Sequence, residues 1–163
     1  MPKQFLTALT SRQAIALVNL LLAFLMIQGV WDISGKALQM EAFQHHMEEI
    51  LEGLGTIMVA FGVALEEREN LMRMLGIYPA GRTPQQTAAD QYCHDYGLFL
   101  LLVGLFVEVS VYIIRMPDID TVDFDPALIV AGAVLSVLGG LLLARLSWLL
   151  STMPENPVVE AGH

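Results

Sequence analysis

Cysteine and basic residues are scarce in this chain, and each shortage excludes a class of function. Cys93 is the single cysteine in 163 residues, so the chain can form neither an internal disulfide nor a Cys-x-x-Cys metal or redox motif. Lysine and arginine total 8 against 17 acidic residues, for a formal net charge of −9. Nucleic acid and anionic lipid headgroups both require basic patches. We therefore expect no nucleic-acid partner and no polybasic membrane clamp.

Charge of either sign is rare, and long apolar runs take its place. Hydrophobic residues make up 55% of the chain, and the mean hydropathy is +0.59. A membrane helix needs about 20 mostly apolar residues, and four runs approach that length. They cover residues 14–31, 47–65, 96–114 and 127–150. The sequence therefore predicts an all-α integral membrane protein, a four-transmembrane-helix bundle in a single domain of residues 1–153, with the lipid bilayer as its first partner.

The segments around these runs have their own signals. The second run continues in helical pattern as far as Met74, which predicts a helical extension, and Pro79 and Gly81 then stop it. Thr83 followed by Pro84 is a helix start signal, and we expect a short amphipathic helix over residues 83–95. Residues 154–163 contain two prolines and no apolar period, which predicts a flexible tail. We expect a solvated surface at the start of the extension: Glu66, Glu67, Arg68 and Glu69.

The distribution of Lys and Arg predicts the orientation of the bundle. With four spans, the N-terminus, the middle loop and the C-terminus share one side and hold six basic residues, against two on the other side. Because positive charge marks cytoplasmic loops, we expect both termini in the cytoplasm, most naturally at a bacterial inner (plasma) membrane. The first run is longer than a signal-peptide core and lacks a small-x-small cleavage site, so we expect an uncleaved span.

Two of the apolar runs contain a glutamate. Glu52 lies in the second run and Glu108 in the third, and a charge in hydrocarbon costs about 2.5–3.5 kcal/mol on insertion scales. Such residues are usually paired, protonated or placed on a polar pathway. Glu52 and Glu108 are therefore the leading candidates for an intramembrane ion or proton site. In the first run, the polar residues Asn19 and Gln28 are expected to hydrogen bond between helices.

The second and third runs share a pattern of glycine and polar residues. From the first residue of each set, the offsets are 3, 10 and 14, which fall on one helix face. The two sets are Glu52, Gly55, Gly62, Glu66 and His94, Gly97, Gly104, Glu108. Glycines seven apart let helices approach closely in lipid. If the two faces meet in antiparallel fashion, Glu52 lies near Glu108 at one boundary, and Glu66 lies near His94 at the other.

The fourth run has the same glycine spacing, at Gly132 and Gly139. It carries no further chemistry and predicts a packing helix.

Metal and cofactor signals are weak. His45, Glu49 and Glu52 share a helix face and are weak candidate metal ligands. A solvated helix start is the favoured explanation for residues 45–49, because acidic residues there complement the helix dipole, whereas Glu52 already lies in the apolar run. A haem needs two axial histidines, and His45 and His94 fall on opposite sides of the predicted bilayer. We therefore expect no cofactor, unless a haem or quinone is shared with another subunit.

Nucleophilic catalysis has little support. Cys93, His94 and Asp95 are adjacent in sequence, so their side chains point apart on a helix, and no oxyanion element is visible. The sequence thus favours a non-catalytic membrane protein, either an accessory or assembly subunit of a larger membrane complex or a homo-oligomer. The alternative is a small cation- or proton-coupled transporter that uses Glu52 and Glu108.

Overall fold

The computed structural model describes residues 11–36, 40–78, 83–115 and 125–153. Every regular element in these ranges is a helix, which confirms the all-α prediction. The helices are α1 (Arg12–Lys36), α2 (Met40–Glu66), α3 (Arg68–Met74), α4 (Pro84–Ile114) and α5 (Asp125–Thr152). The predicted tail, residues 154–163, lies outside the described residues.

Three of these helices are long and apolar enough to cross a membrane. They are Arg12–Gly35 in α1, the whole of α4, and Pro126–Thr152 in α5. Together they indicate an integral membrane protein. The 27 residues of α2 are also long enough, but α2 contains five glutamates and Glu52 lies at its middle, so it is less apolar than the other three: Glu41, Glu48, Glu49, Glu52 and Glu66.

The long helices pack as two antiparallel pairs. α1 lies against α5, and the Ser147 hydroxyl donates to the Ala16 carbonyl across this interface at 3.0 Å. α2 lies most extensively against α4, which also packs on α5, whereas α1 and α2 touch little. The core between the pairs is built from side chains that are almost fully buried: Met26, Met47, Leu51, Met58, Leu100, Val107 and Leu146.

α4 begins where the sequence predicted but continues much further. Thr83 caps it by accepting the Gln86 backbone N–H at 3.2 Å, and Pro84 occupies the first turn. The expected separate helix over residues 83–95 is wrong, because one helix of 31 residues runs on to Ile114. No proline or glycine interrupts the chain between residues 85 and 96. The helix is about 46 Å long, so it exceeds the roughly 30 Å of bilayer hydrocarbon.

The extension after α2 is helical but bent. Glu67 separates α2 from α3, and the chain then turns at Gly76. Gly76 has φ +65°, a left-handed conformation that glycine adopts without steric cost. The Ile77 N–H donates to the Met72 carbonyl at 3.0 Å, which closes the end of α3 and directs the chain back towards α4.

Asn19 occupies the buried side of α1 without a hydrogen bond. It is 0% exposed, and neither polar atom of its amide has a partner among the described residues. The interhelical hydrogen bond expected for it is therefore not formed within the described chain. An unsatisfied buried amide costs free energy.

Candidate functional site: the polar ends of the α2–α4 seam

The middle of the contact between α2 and α4, here called the seam, brings two backbones together. A methyl group placed on Gly62 would lie 2.8 Å from the Gly97 carbonyl oxygen and 2.7 Å from the Leu101 nitrogen. A methyl group on Gly97 would lie 2.5 Å from the Glu66 nitrogen. On Gly104 it would lie 2.8 Å from Met58 Cβ. The glycines of the two predicted faces thus lie in the seam. A larger residue would collide with backbone of the opposite helix at Gly62, Gly97 and Gly104, and with the Glu108 side chain at Gly55.

The two glycines of α5 have a different environment. A methyl group on Gly132 would meet the Leu51 side chain at 3.1 Å, and one on Gly139 would meet the Met58 sulfur at 2.5 Å. Both positions receive core side chains from α2 rather than a backbone. They pack α5 onto the α2–α4 pair.

Glu52 is held by a cation at one end of the seam. Arg115, at the C-cap of α4, donates from both terminal nitrogens to the Glu52 carboxylate, at 2.9 and 2.7 Å. Its Nε also lies 3.9 Å from Glu48 Oε2. The hydrogen bond to Glu52 raises the pKa of the Arg115 guanidinium. We call these three residues the Arg115 cluster. Arg115 is one of the two basic residues that the sequence places on the side opposite the termini, and its pairing with Glu52 was not predicted.

Glu108 has a different partner from Glu52. Its Oε1 accepts the Thr56 hydroxyl at 2.7 Å, and a methyl group on Gly55 would lie 3.0 Å from the same oxygen. Among the described residues, no Lys, Arg or His nitrogen forms an ion pair with Glu108. Glu108 therefore contacts α2 at Thr56, about one helical turn after Glu52. The two glutamates expected to form one site have separate hydrogen-bond partners.

Glu66 and His94 meet at the opposite end of the seam. The distance from His94 Nδ1 to Glu66 Oε1 is 3.9 Å. The Glu66 side chain is 26% exposed and that of His94 is 54% exposed. The contact is therefore long and partly open to the surroundings, and it leaves the Glu66 carboxylate accessible.

A buried ion pair beside these residues was not predicted from the sequence. Arg68 of α3 binds Asp90 of α4, and each side chain is only 6% exposed. The Tyr78 hydroxyl donates to the second Asp90 oxygen at 2.8 Å, and the Gln86 amide donates to Asp90 at 3.2 Å. The expectation of a solvated Arg68 is therefore wrong, because α4 begins at Pro84 and its first turns place Asp90 against Arg68.

These side chains border a cleft between the end of α2, α3 and the start of α4. Its volume is about 320 Å³, and we call it the Asp90 cleft. All eight residues that line it are polar: Glu66, Glu69, Asn70, Tyr78, Thr87, Asp90, Gln91 and His94.

The predicted metal ligands do not converge. His45 Nδ1 lies 3.5 Å from Glu48, and His46 Nδ1 lies 4.0 Å from Glu49, whereas Glu52 binds Arg115. Within the described ranges, no three His, Cys, Asp or Glu side chains are grouped so that they could hold a metal ion. Cys93 is 0% exposed.

Comparison with known protein families, curated proteins and solved structures found no match.

Proposed function

We propose that this chain is a small, non-catalytic membrane protein of four spans that assembles with other membrane subunits or with further copies of itself. α2 supplies the fourth span. Its Glu52 is neutralised by Arg115, its Glu48 side chain is 6% exposed, and its glycines fit against α4. These contacts offset the acidic residues that make α2 less apolar than the other long helices.

The proposed orientation places both termini in the cytoplasm at an inner (plasma) membrane. The antiparallel order of α1, α2, α4 and α5 supports it, because four spans return the chain to its starting side. The six-to-two distribution of Lys and Arg supports the same choice of side.

The observation that carries the proposal is the exposed face of α2. Thr56, Ala60 and Ala64 are spaced four apart and are all exposed, and Val63 is the one exposed large apolar side chain in the described part of α2. α1, α4 and α5 instead expose many Leu, Phe and Val side chains, as suits contact with lipid. Small residues four apart let another membrane helix approach closely. We call these three residues the small-residue face.

Glu108 borders this face through its hydrogen bond with Thr56. A carboxylate in the apolar part of a span is stabilised when a neighbouring helix brings a cation or a donor. Glu108 lies about 9 Å from the end of α4, whereas Arg145 lies about 30 Å from the adjoining end of α5. A second copy in the same orientation would not bring Arg145 to Glu108. In a homo-oligomer of this orientation, a residue other than Arg145 would have to meet Glu108.

The first test is purification from native membranes in mild detergent, followed by mass determination of the intact particle. We expect a particle heavier than the 17.9 kDa chain, and partner subunits would appear in the same spectrum. Ala60→Leu should reduce this assembly because leucine blocks close helix approach. Ala131→Leu is the matched control, since Ala131 is an exposed alanine on α5. A monomeric wild-type chain, or full assembly of Ala60→Leu, would contradict the proposal.

A second candidate is a cation- or proton-coupled transporter. The observation in its favour is that carboxylates lie at both ends of one helix pair, at Glu52 and Glu108 and again at Glu66. The glycine contact between Gly62 and Gly97 closes the seam between them, so transport would require these helices to separate. Flux in reconstituted vesicles should fall in Glu52→Gln and Glu108→Gln, and unchanged flux in both variants would remove this candidate.

A further inference from the structure

We propose that the Asp90 cleft binds an organic cation through an ammonium or guanidinium group. This inference does not depend on the assembly proposed above, because the cleft is built entirely from α2, α3, α4 and the turn that follows α3. It lies at the opposite end of the seam from the Arg115 cluster.

The size and the lining of the cleft suit a small polar ligand. Its volume of about 320 Å³ falls at the lower end of the range for small-molecule sites, roughly 300–1,000 Å³. Asn70, Thr87 and Gln91 supply side-chain oxygens that accept hydrogen bonds. These oxygens can accept hydrogen bonds from a ligand group that carries several N–H donors.

The floor of the cleft is fixed before any ligand enters. Asp90 is buried, and its two oxygens accept hydrogen bonds from Arg68, Tyr78 and Gln86. Its carboxylate therefore does not need to reorient when a ligand binds. Such preorganisation lowers the entropic cost of binding.

The charges of the described residues that line the cleft favour a cation. Three carboxylates line it, and two of them are matched by arginines, Asp90 by Arg68 and Glu69 by Arg73, at 2.5 Å. Among the described residues, the third carboxylate, Glu66, has only His94 near it, at 3.9 Å. A monovalent cation with N–H donors would neutralise the negative charge of Glu66. A bare metal ion is a poor candidate, because the described residues group no three ligands around one point.

The ligand group could belong to a free amine or to a Lys or Arg side chain of a partner protein, and two probes distinguish these sources. The first probe is agmatine, which carries one amine and one guanidinium group. The second is an acetylated and amidated Gly-Arg-Gly peptide. Each is titrated calorimetrically into the full-length chain in detergent. Tighter agmatine binding indicates a diffusible amine, and tighter peptide binding indicates a partner's side chain.

Glu66→Gln is the decisive variant because it removes the unmatched carboxylate and leaves the Asp90 network in place. We expect it to weaken the tighter probe by about tenfold or more, the loss typical of one charge-assisted hydrogen bond. Glu49→Gln is the matched control, because it removes one exposed carboxylate outside the cleft, and it should bind like the wild type. Absence of binding of both probes to the wild type, or equal binding by Glu66→Gln, would overturn the proposal. The mass of the native assembly, measured for Glu66→Gln, reports separately on the proposed function.

Discussion

Arg115 and Glu52 join the end of α4 to the first half of α2 by two parallel hydrogen bonds of 2.9 and 2.7 Å. The two residues are 63 positions apart in the chain. A guanidinium group suits this role because its planar fork matches both oxygens of a carboxylate. The pair fixes the register of α4 against α2 at one end of the seam.

The first prediction concerns this pair. Glu52→Gln and Arg115→Gln should each lower the melting temperature of the chain in detergent, and the double variant should melt no lower than the more affected single variant, because each change breaks the same contact. Because the pair raises the pKa of Arg115, it stabilises the folded chain at every pH below the pKa that arginine has in the unfolded chain. This stabilisation is lost only as the pH rises through the higher pKa of Arg115 in the folded chain. The arginine should therefore stay charged from about pH 6 to 9.

The matched control for this cycle is the Arg73–Glu69 pair, which lies within α3. Arg73→Gln should change the melting temperature less than Arg115→Gln, because its pair does not connect two helices. Strictly additive effects of Glu52→Gln and Arg115→Gln would show that the two side chains do not interact in solution.

The second prediction concerns the glycine contact. Gly62→Ala and Gly97→Ala should both destabilise the chain, because a methyl group at either position meets backbone of the opposite helix. Overpacking costs about 1–3 kcal/mol, against about 1 kcal/mol gained from the helix propensity of alanine. Gly53→Ala is the control, since a methyl group there meets nothing within 4 Å. Equal stability of all three variants in SDS-titration unfolding would refute the close contact.

The third prediction concerns the buried ion pair. Arg68→Met should destabilise the chain by about 3–5 kcal/mol, because it leaves the Asp90 carboxylate buried without its cation. Adding Asp90→Leu should restore part of this loss, since the unpaired charge is then also removed. Unfolding monitored by circular dichroism measures both variants. A double variant less stable than Arg68→Met alone would show that the pair is not the dominant contact.

The fourth prediction uses the single thiol as a probe. Cys93 is 0% exposed and lies one helical turn after Asp90. A maleimide should therefore modify it only after denaturation, and Arg68→Met should increase its labelling without denaturant. In a Cys93→Ala background, Gln91→Cys should label readily, because Gln91 is exposed. Rapid labelling of wild-type Cys93 would contradict the packing at the start of α4.

The fifth prediction is a gain in stability. Asn19→Leu should stabilise the chain by about 1–3 kcal/mol, because it replaces a buried amide without a hydrogen-bond partner by an apolar side chain. Asn70→Leu is the comparison, since its amide donates to Glu67 at 2.7 Å, and it should give no gain. A loss of stability in Asn19→Leu would indicate that another group satisfies this amide.

The helix pattern was readable from the sequence because it depends on local properties. Long apolar runs and the Thr83–Pro84 start signal predict helices by length and capping alone. The glycine offsets describe one face of each helix, and the structure places Gly62 against Gly97. The predicted boundary near residue 95 failed because hydropathy marks where a bilayer would end, and a helix continues past that point when no residue stops it.

The polar contacts were harder to predict because they depend on where helices end and bend. Arg68 and Asp90 look like ordinary solvated residues until the first turns of α4 place Asp90 against Arg68. Arg115 could have been assigned to Glu52 from the antiparallel register, since that register places the end of α4 beside the start of the second apolar run. The sequence pattern predicted Glu108 as the neighbour of Glu52. The residue that binds Glu52 is instead Arg115, which lies just outside the third apolar run.

The partnership of α2 with α4 has a consequence for biogenesis. α2 leaves the ribosome before the glycines of α4 and before Arg115, which follows Glu52 by 63 residues. A nascent chain that ends before α4 therefore presents an acidic helix without the cation that neutralises it, and its insertion into lipid is correspondingly weak. In the four-span arrangement that we propose, stable integration of α2 awaits synthesis of α4, and the two helices enter the membrane as a unit.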